Sequence, residues 1–208
     1  PIDMNDGQRV DALSKWSITW SLKADGSPKP GTTRFTGNVI FPLWNKPANV
    51  EPALVKEWQT YVANLAKHEG NHISHAYQLF LKVKDEVDRG DGDAANRFFR
   101  QAQQWDHIYD NETNHGATEG CVFPMNNNTA TSSTVAVEGE VTPKKPTTMT
   151  SSAPVVIEHA TVTTYVIDGD TAQAMRASLN AKGPIDMNDG QRVDALSKWS
   201  ITWSLKAD

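Results

Sequence analysis

Cysteine is almost absent from this chain of 208 residues. Cys121 stands alone, which excludes an internal disulfide framework and a cysteine-built zinc cluster without fixing the redox compartment. An excess of positive charge is also lacking. Lys and Arg number 20 against 25 Asp and Glu, for a formal net charge of −5, and so mild an acidity leaves no electrostatic footprint for nucleic acid or an anionic membrane. No apolar run approaches the length of a membrane span, and no signal peptide is visible. The chain opens with Pro1 rather than Met, so it reads as a fragment in which a missing leader means little. G-x-S-x-G, a Walker loop and a dinucleotide fingerprint are missing too. What remains is ordinary globular composition, 38% hydrophobic and 22% charged, which argues against wholesale disorder.

Residues 184–208 repeat residues 1–25 letter for letter, so the chain is one 183-residue period with a 25-residue overlap. Met125 to Ala153 is rich in Ser, Thr and Asn and holds no aromatic residue. Such a stretch buries too little apolar surface to offset its ordering entropy and reads as a linker. The expected organisation is therefore 1–124 as a hairpin plus helices, 125–154 as linker, and 155–208 as a strand, a helix and a strand that begin the same domain type. On this reading the chain is cut out of register from a tandem array, or from an assembly artefact of a repetitive sequence. The linker would let Val155–Gly183 return to the sheet, as in a circular permutant. Two copies of Lys-Trp-Ser-Ile-Thr-Trp would then compete for one strand position, so only one of Arg9–Leu22 and Arg192–Leu205 should pack fully against the core.

Val155 to Val166 is rich in Val, Ile, Thr and Tyr and reads as a strand. Thr171 to Ala181 reads as a helix, with Gly183-Pro184 as its stop. Arg9–Leu22 and Thr32 to Leu43 read as a hairpin interrupted at Gly26-Ser27-Pro28. From near Asn49, the residues Leu54, Trp58, Tyr61, Leu65, His68, His72, Ala76, Leu79, Val83 and Val87 step by three or four, the pattern of one long amphipathic helix. Arg89-Gly90-Asp91-Gly92 ends it; the Arg-Gly-Asp there reads as turn chemistry rather than an adhesion signal. Asp93 can cap a further helix carrying Phe98, Ala102, Trp105 and Tyr109 and stopping at Gly116. Strands first and helices after predict an α+β domain: an antiparallel sheet packed against a long helix and a following antiparallel helix.

The long helix carries His68-Glu69-Gly70-Asn71-His72, an H-E-x-x-H sequence. Histidines four apart lie on one helix face, so both imidazoles can reach a single ion. Zinc takes neutral imidazole nitrogens, and a catalytic zinc keeps one position open for water. Glu69 can take a proton from that water. Gly70 costs about 1 kcal/mol relative to Ala in a helix interior, which suggests a close approach there by metal, substrate or backbone. A third ligand is needed. His75 lies about two turns (~10.5 Å) from His68 on a straight helix, too far to share an ion easily, and reads as an outer-layer residue or alternative ligand. His115 is the leading candidate, because an antiparallel return could bring the end of the next helix back. Asp110 and Glu112 are alternatives, as ligand or as acceptor for a ligand histidine.

Several segments together resemble a bacterial family of predicted secreted zinc-dependent proteases, long catalogued as a domain of unknown function. They are Tyr165 to Pro184, the strand Lys15 to Leu22, Phe35 to Trp44, the H-E-x-x-H helix, and Tyr109 to Gly116 followed by Phe123-Pro124. The resemblance implies a zincin-like α+β fold, His68 and His72 as zinc ligands, Glu69 as catalytic carboxylate and His115 as the matching downstream histidine. It departs at Asn71, where the family often has glycine.

The leading expectation is a bacterial, extracytoplasmic (secreted or periplasmic) zinc metallopeptidase that acts on a peptide or protein, with no nucleic-acid partner and no membrane span. The alternative is a non-catalytic surface or interaction module of tandem repeats with a structural or vestigial metal site. A metal-dependent hydrolase of another amide is a further option.

Overall fold

The computed structural model describes residues 8–123 and 155–186. Along the chain come β1 (Gln8–Arg9), β2 (Leu13–Thr19), β3 (Arg34–Trp44), α1 (Pro52–Arg89) and α2 (Gly92–Thr113). A single 3-10 turn (Ala117–Glu119) follows, then β4 (Thr161–Ile167), α3 (Ala172–Lys182) and β5 (Ile185–Asp186). Among the described residues the fold is α+β: three helices, a three-stranded sheet in the order β2-β3-β4, and a small ladder joining β1 to β5.

The sheet is mixed, which corrects the expectation of an antiparallel one. β2 and β3 form the expected antiparallel hairpin, Trp16 facing Gly37, but β4 runs parallel to β3, from Asn38↔Thr161 to Trp44↔Ile167. A parallel neighbour needs a long crossover, and the chain between β3 and β4 carries two helices and residues 124–160, ample to re-enter from the same end. The strand expected from Val155 begins only at Thr161. Before it, Ala160 N–H closes a turn on the carbonyl of Ile157 (3.3 Å), and His159 sits at a positive φ of 63°.

Helix α1 buries the expected stripe from Leu54 to Val87, joined by Glu69 and Ile73. Ile73, Ala76, Val83 and Val87 are fully buried, and each large aliphatic side chain contributes about 1.5–3 kcal/mol. This face lies on β2 and β3, whose inward residues Trp16, Ile18, Val39 and Phe41 complete the core. At the far end Gly90 takes a left-handed φ of 83°, and the N–H groups of Gly90 and Asp91 close on the carbonyls of Val87 and Glu86. Asp91, rather than Asp93, caps α2 by accepting from Ala94 N–H at 2.9 Å. So tight a connection folds α2 back antiparallel along α1.

The stretch after residue 154 joins the same core through Ile167, Met175 and Leu179. Asp11 ties the two stretches together. It accepts two bonds from Arg176 Nη1 (2.9 and 2.7 Å) and one from the hydroxyl of Tyr61, and its carbonyl accepts from Tyr165. The first tryptophan strand packs against the core, with Trp16 and Trp20 buried. Its copy at Arg192–Leu205 lies outside the described residues.

Candidate metal centre

Because α2 runs back along α1, the four-residue spacing of His68 and His72 meets a matching spacing of Asp110 and Asp106. Residues four apart share a helix face. The Nε2 atoms of His68 and His72 point at one carboxylate oxygen, Oδ1 of Asp110, at 3.3 and 3.0 Å. Each remaining ring nitrogen has its own carboxylate: Nδ1 of His68 faces Oε2 of Glu119 and Nδ1 of His72 faces Oδ1 of Asp106, both at 2.9 Å. Ligand atoms of His68, His72 and Asp110 all lie within 4.8 Å of one another, a possible metal-binding triad.

The charges of these groups are mutually dependent. Burial opposes protonation of His72, but the bonds to Asp106 and Asp110 outweigh it and push its pKa up to about 10. His68 is also buried, and its bonds to Asp110 and Glu119 raise it. Burial works against ionisation of Asp110 as well, and the two imidazoles hold it well below the usual carboxylate range. The neighbouring carboxylates thus favour the protonated form of both imidazoles. A divalent ion would take the place of the protons on the two Nε2 atoms. Two imidazole nitrogens and one carboxylate oxygen are a donor set that fits a divalent metal ion, and a carboxylate behind each histidine is the usual device for fixing ring orientation at such a site.

Glu69, one residue on from His68, turns toward β2 and bonds to Ser14. It is only 7% exposed. Burial raises its pKa, and the two imidazoles and Ser14 only partly offset this.

Further polar and aromatic groups brace the cluster. Trp16 Nε1 donates to Oδ2 of Asp106 at 2.5 Å, tying the β2 strand to His72. The Tyr109 hydroxyl donates to Oε2 of Glu119 and accepts from Asn71 Nδ2, both at 2.7 Å. The Tyr109 ring stacks on His68 with centroids 5.0 Å apart. Gly116, at φ 77°, closes the turn over His68: a Cβ there would come within 2.9 Å of Cys121 Sγ and 3.1 Å of His68 Cγ.

The structure thus brings His68, His72 and Asp110 together, with Glu69 near enough for both imidazoles to act on its carboxylate. His115 is not in the triad. Asn114 and His115 both turn left-handed (φ 49° and 51°), α2 ends, and His115 is left exposed. Glu112 is exposed as well. His75 stacks on Trp105 with centroids 3.9 Å apart, and its buried Nδ1 has no hydrogen-bond partner among the described residues. Among the described residues no other backbone comes close to Gly70, where a Cβ would meet Ile157 Cγ2 at 4.0 Å. Asp106 and Glu119 were not anticipated. The i,i+4 spacing of Asp106 and Asp110 was a usable signal; nothing in the sequence marked Glu119.

A family model described as "Bacterial protein of unknown function (DUF922)" matches residues 1–116 and 162–208. No curated protein and no solved structure matches the chain. Among the described residues, no helix is long and apolar enough to cross a membrane.

Proposed function

The chain belongs to this bacterial family of unknown function, DUF922, and within it we propose that the chain is a zinc-dependent peptidase acting outside the cytoplasm. One observation carries the proposal. Two imidazole Nε2 atoms converge on a single Asp110 oxygen while carboxylates hold both Nδ1 atoms, and a buried Glu69 lies alongside. The peptide substrate and the extracytoplasmic setting rest on the H-E-x-x-H pattern and the resemblance it supports.

His68, His72 and Asp110 would hold the zinc, which when bound supplies a Lewis acid and a water of lowered pKa. Glu69 receives the proton of the attacking water and returns it to the leaving nitrogen. Its burial keeps the carboxylate basic enough for that task. Asp106 and Glu119 keep the imidazoles oriented, and Tyr109 with Asn71 keeps Glu119 in place.

The test pairs metal analysis with a peptide-library assay. Glu69→Gln should retain about one zinc per chain and lose peptide hydrolysis by roughly 10²–10⁴-fold. Undiminished hydrolysis in that variant sinks the peptidase reading. Wild-type protein that binds zinc in a closed four-ligand shell, with no hydrolysis, favours a structural module instead.

A further inference from the structure

Strand β4 is the outermost of the three-stranded sheet, and among the described residues no strand pairs with the side of it that turns away from β3. The backbone N–H and C=O groups on that side are a template for a further strand. Sheet edges are ordinarily guarded by a charged side chain, a proline or a bulge. Thr161–Ile167 reads Thr-Val-Thr-Thr-Tyr-Val-Ile, with neither charge nor proline. It also pairs with Asn38–Trp44 residue for residue, so no bulge twists the edge away. Thr161, Thr163, Thr164 and Val166 are all exposed.

The order of side chains says what fits this edge. Successive residues of a strand face opposite sides, so Val162, Thr164 and Val166 share one face of the sheet with Val39, Phe41 and Leu43, their partners in β3. The set Val162, Thr164, Val166 reads the same in both directions about Thr164. An antiparallel pair of identical strands centred there sets Val162 against Val166 of the second copy and Thr164 against its own counterpart. Threonines directly opposite each other are a favourable pair, and valine on valine buries apolar surface. Like charges do not meet along the ladder, because the strand has none. The pairing also extends an apolar row. Leu43 and Val166 lie side by side at 41% and 48% exposure, and Val162 of the second copy, followed by its buried Val39, would continue that row across the junction.

We infer that the outer edge of β4 is a self-association surface, through which two copies of the chain pair antiparallel along Thr161–Ile167 and join their sheets into one. An extended peptide of another sequence meets the same backbone groups but lacks the match of Val to Val and Thr to Thr. The contact is one strand wide, so the dimer is a weak, transient one with a dissociation constant of about 100 µM, and the chain is monomeric at low micromolar concentration. The inference does not rest on the metal reading, because its readouts are mass and amide exchange.

The experiment follows the full chain by sedimentation equilibrium from about 5 to 500 µM, a range that brackets the expected weak association. Wild type should pass from one chain mass toward two. Thr164→Lys and Thr164→Glu each set like charges against each other at the centre of the pair, so each should weaken association roughly 10-fold. An equimolar mixture of the two variants should recover it, because residue 164 then meets the opposite charge. Thr164 is exposed, so both variants should keep the wild-type circular dichroism. Hydrogen exchange on wild type alone provides a second readout, in which protection of the 161–167 amides should rise with protein concentration. Wild type that stays at one chain mass to about 500 µM overturns the inference. So does a dimer that neither substitution weakens, or protection of 161–167 that ignores concentration and rises only on adding an unrelated extended peptide.

Discussion

His72 has a carboxylate at each nitrogen, and this one residue dictates how the metal-free protein responds to pH. Its pKa rises from 6.5 in the unfolded chain to about 10 in the fold. The stabilisation is thus complete below about pH 6.5 and is lost as pH climbs through about 10. Asp110 is shifted the other way, so its contribution is present above its ordinary 3.8 and is lost as pH falls below that value. Protein treated with a chelator should therefore be most stable between about pH 4 and 6.5, and its Tm should decline steadily from pH 7 to pH 10. Zinc-loaded protein should show a rising or flat alkaline limb, because metal and protons compete for the same nitrogens. Thermal unfolding across that range, with and without zinc, distinguishes the cases, and an alkaline limb that rises in the chelated protein contradicts the assignment.

His68, Glu69 and His72 were legible in the sequence because their spacing is local: the helix period alone places them. Asp110 could be read only as an alternative, and Asp106 not at all, because their partners lie 34 to 42 positions away and meet them only once the register of α2 on α1 is fixed. That register is set by the Gly90 turn and the Asp91 cap. The direction of β4 was illegible for a similar reason, since a strand's residues do not record which end of the sheet it enters. Helix α2 acts as a unit, its Asp106, Tyr109 and Asp110 all meeting the histidines or their supports. Asp106→Asn tests that role. It weakens the hold on His72 Nδ1 and on Trp16 while leaving the triad intact, so zinc affinity should fall about 10–100-fold with little change in helix content. Competition with a chromophoric chelator measures it, and unchanged affinity removes Asp106 from the site.

At the scale of the whole molecule, residues on both sides of 124–154 build one sheet and one core. The β3–β4 ladder spans Asn38–Trp44 against Thr161–Ile167, Trp44 Nε1 donates to Gly169 O at 2.9 Å, and Arg176 reaches both Asp11 and the carbonyl of Phe123. Met175 and Leu179 are fully buried. These contacts, rather than the covalent connection, should hold the two stretches together. A protease site inserted between residues 125 and 154 and then cut should leave fragments that co-elute under native conditions and bind zinc with unchanged stoichiometry. Cutting converts an intramolecular association, with an effective concentration near the millimolar range, into a bimolecular one. The Tm of the cut protein should therefore fall and become dependent on protein concentration, while that of the intact chain does not. Fragments that separate on gel filtration at micromolar concentration would show that the ladder and the Asp11–Arg176 pair cannot carry the association alone.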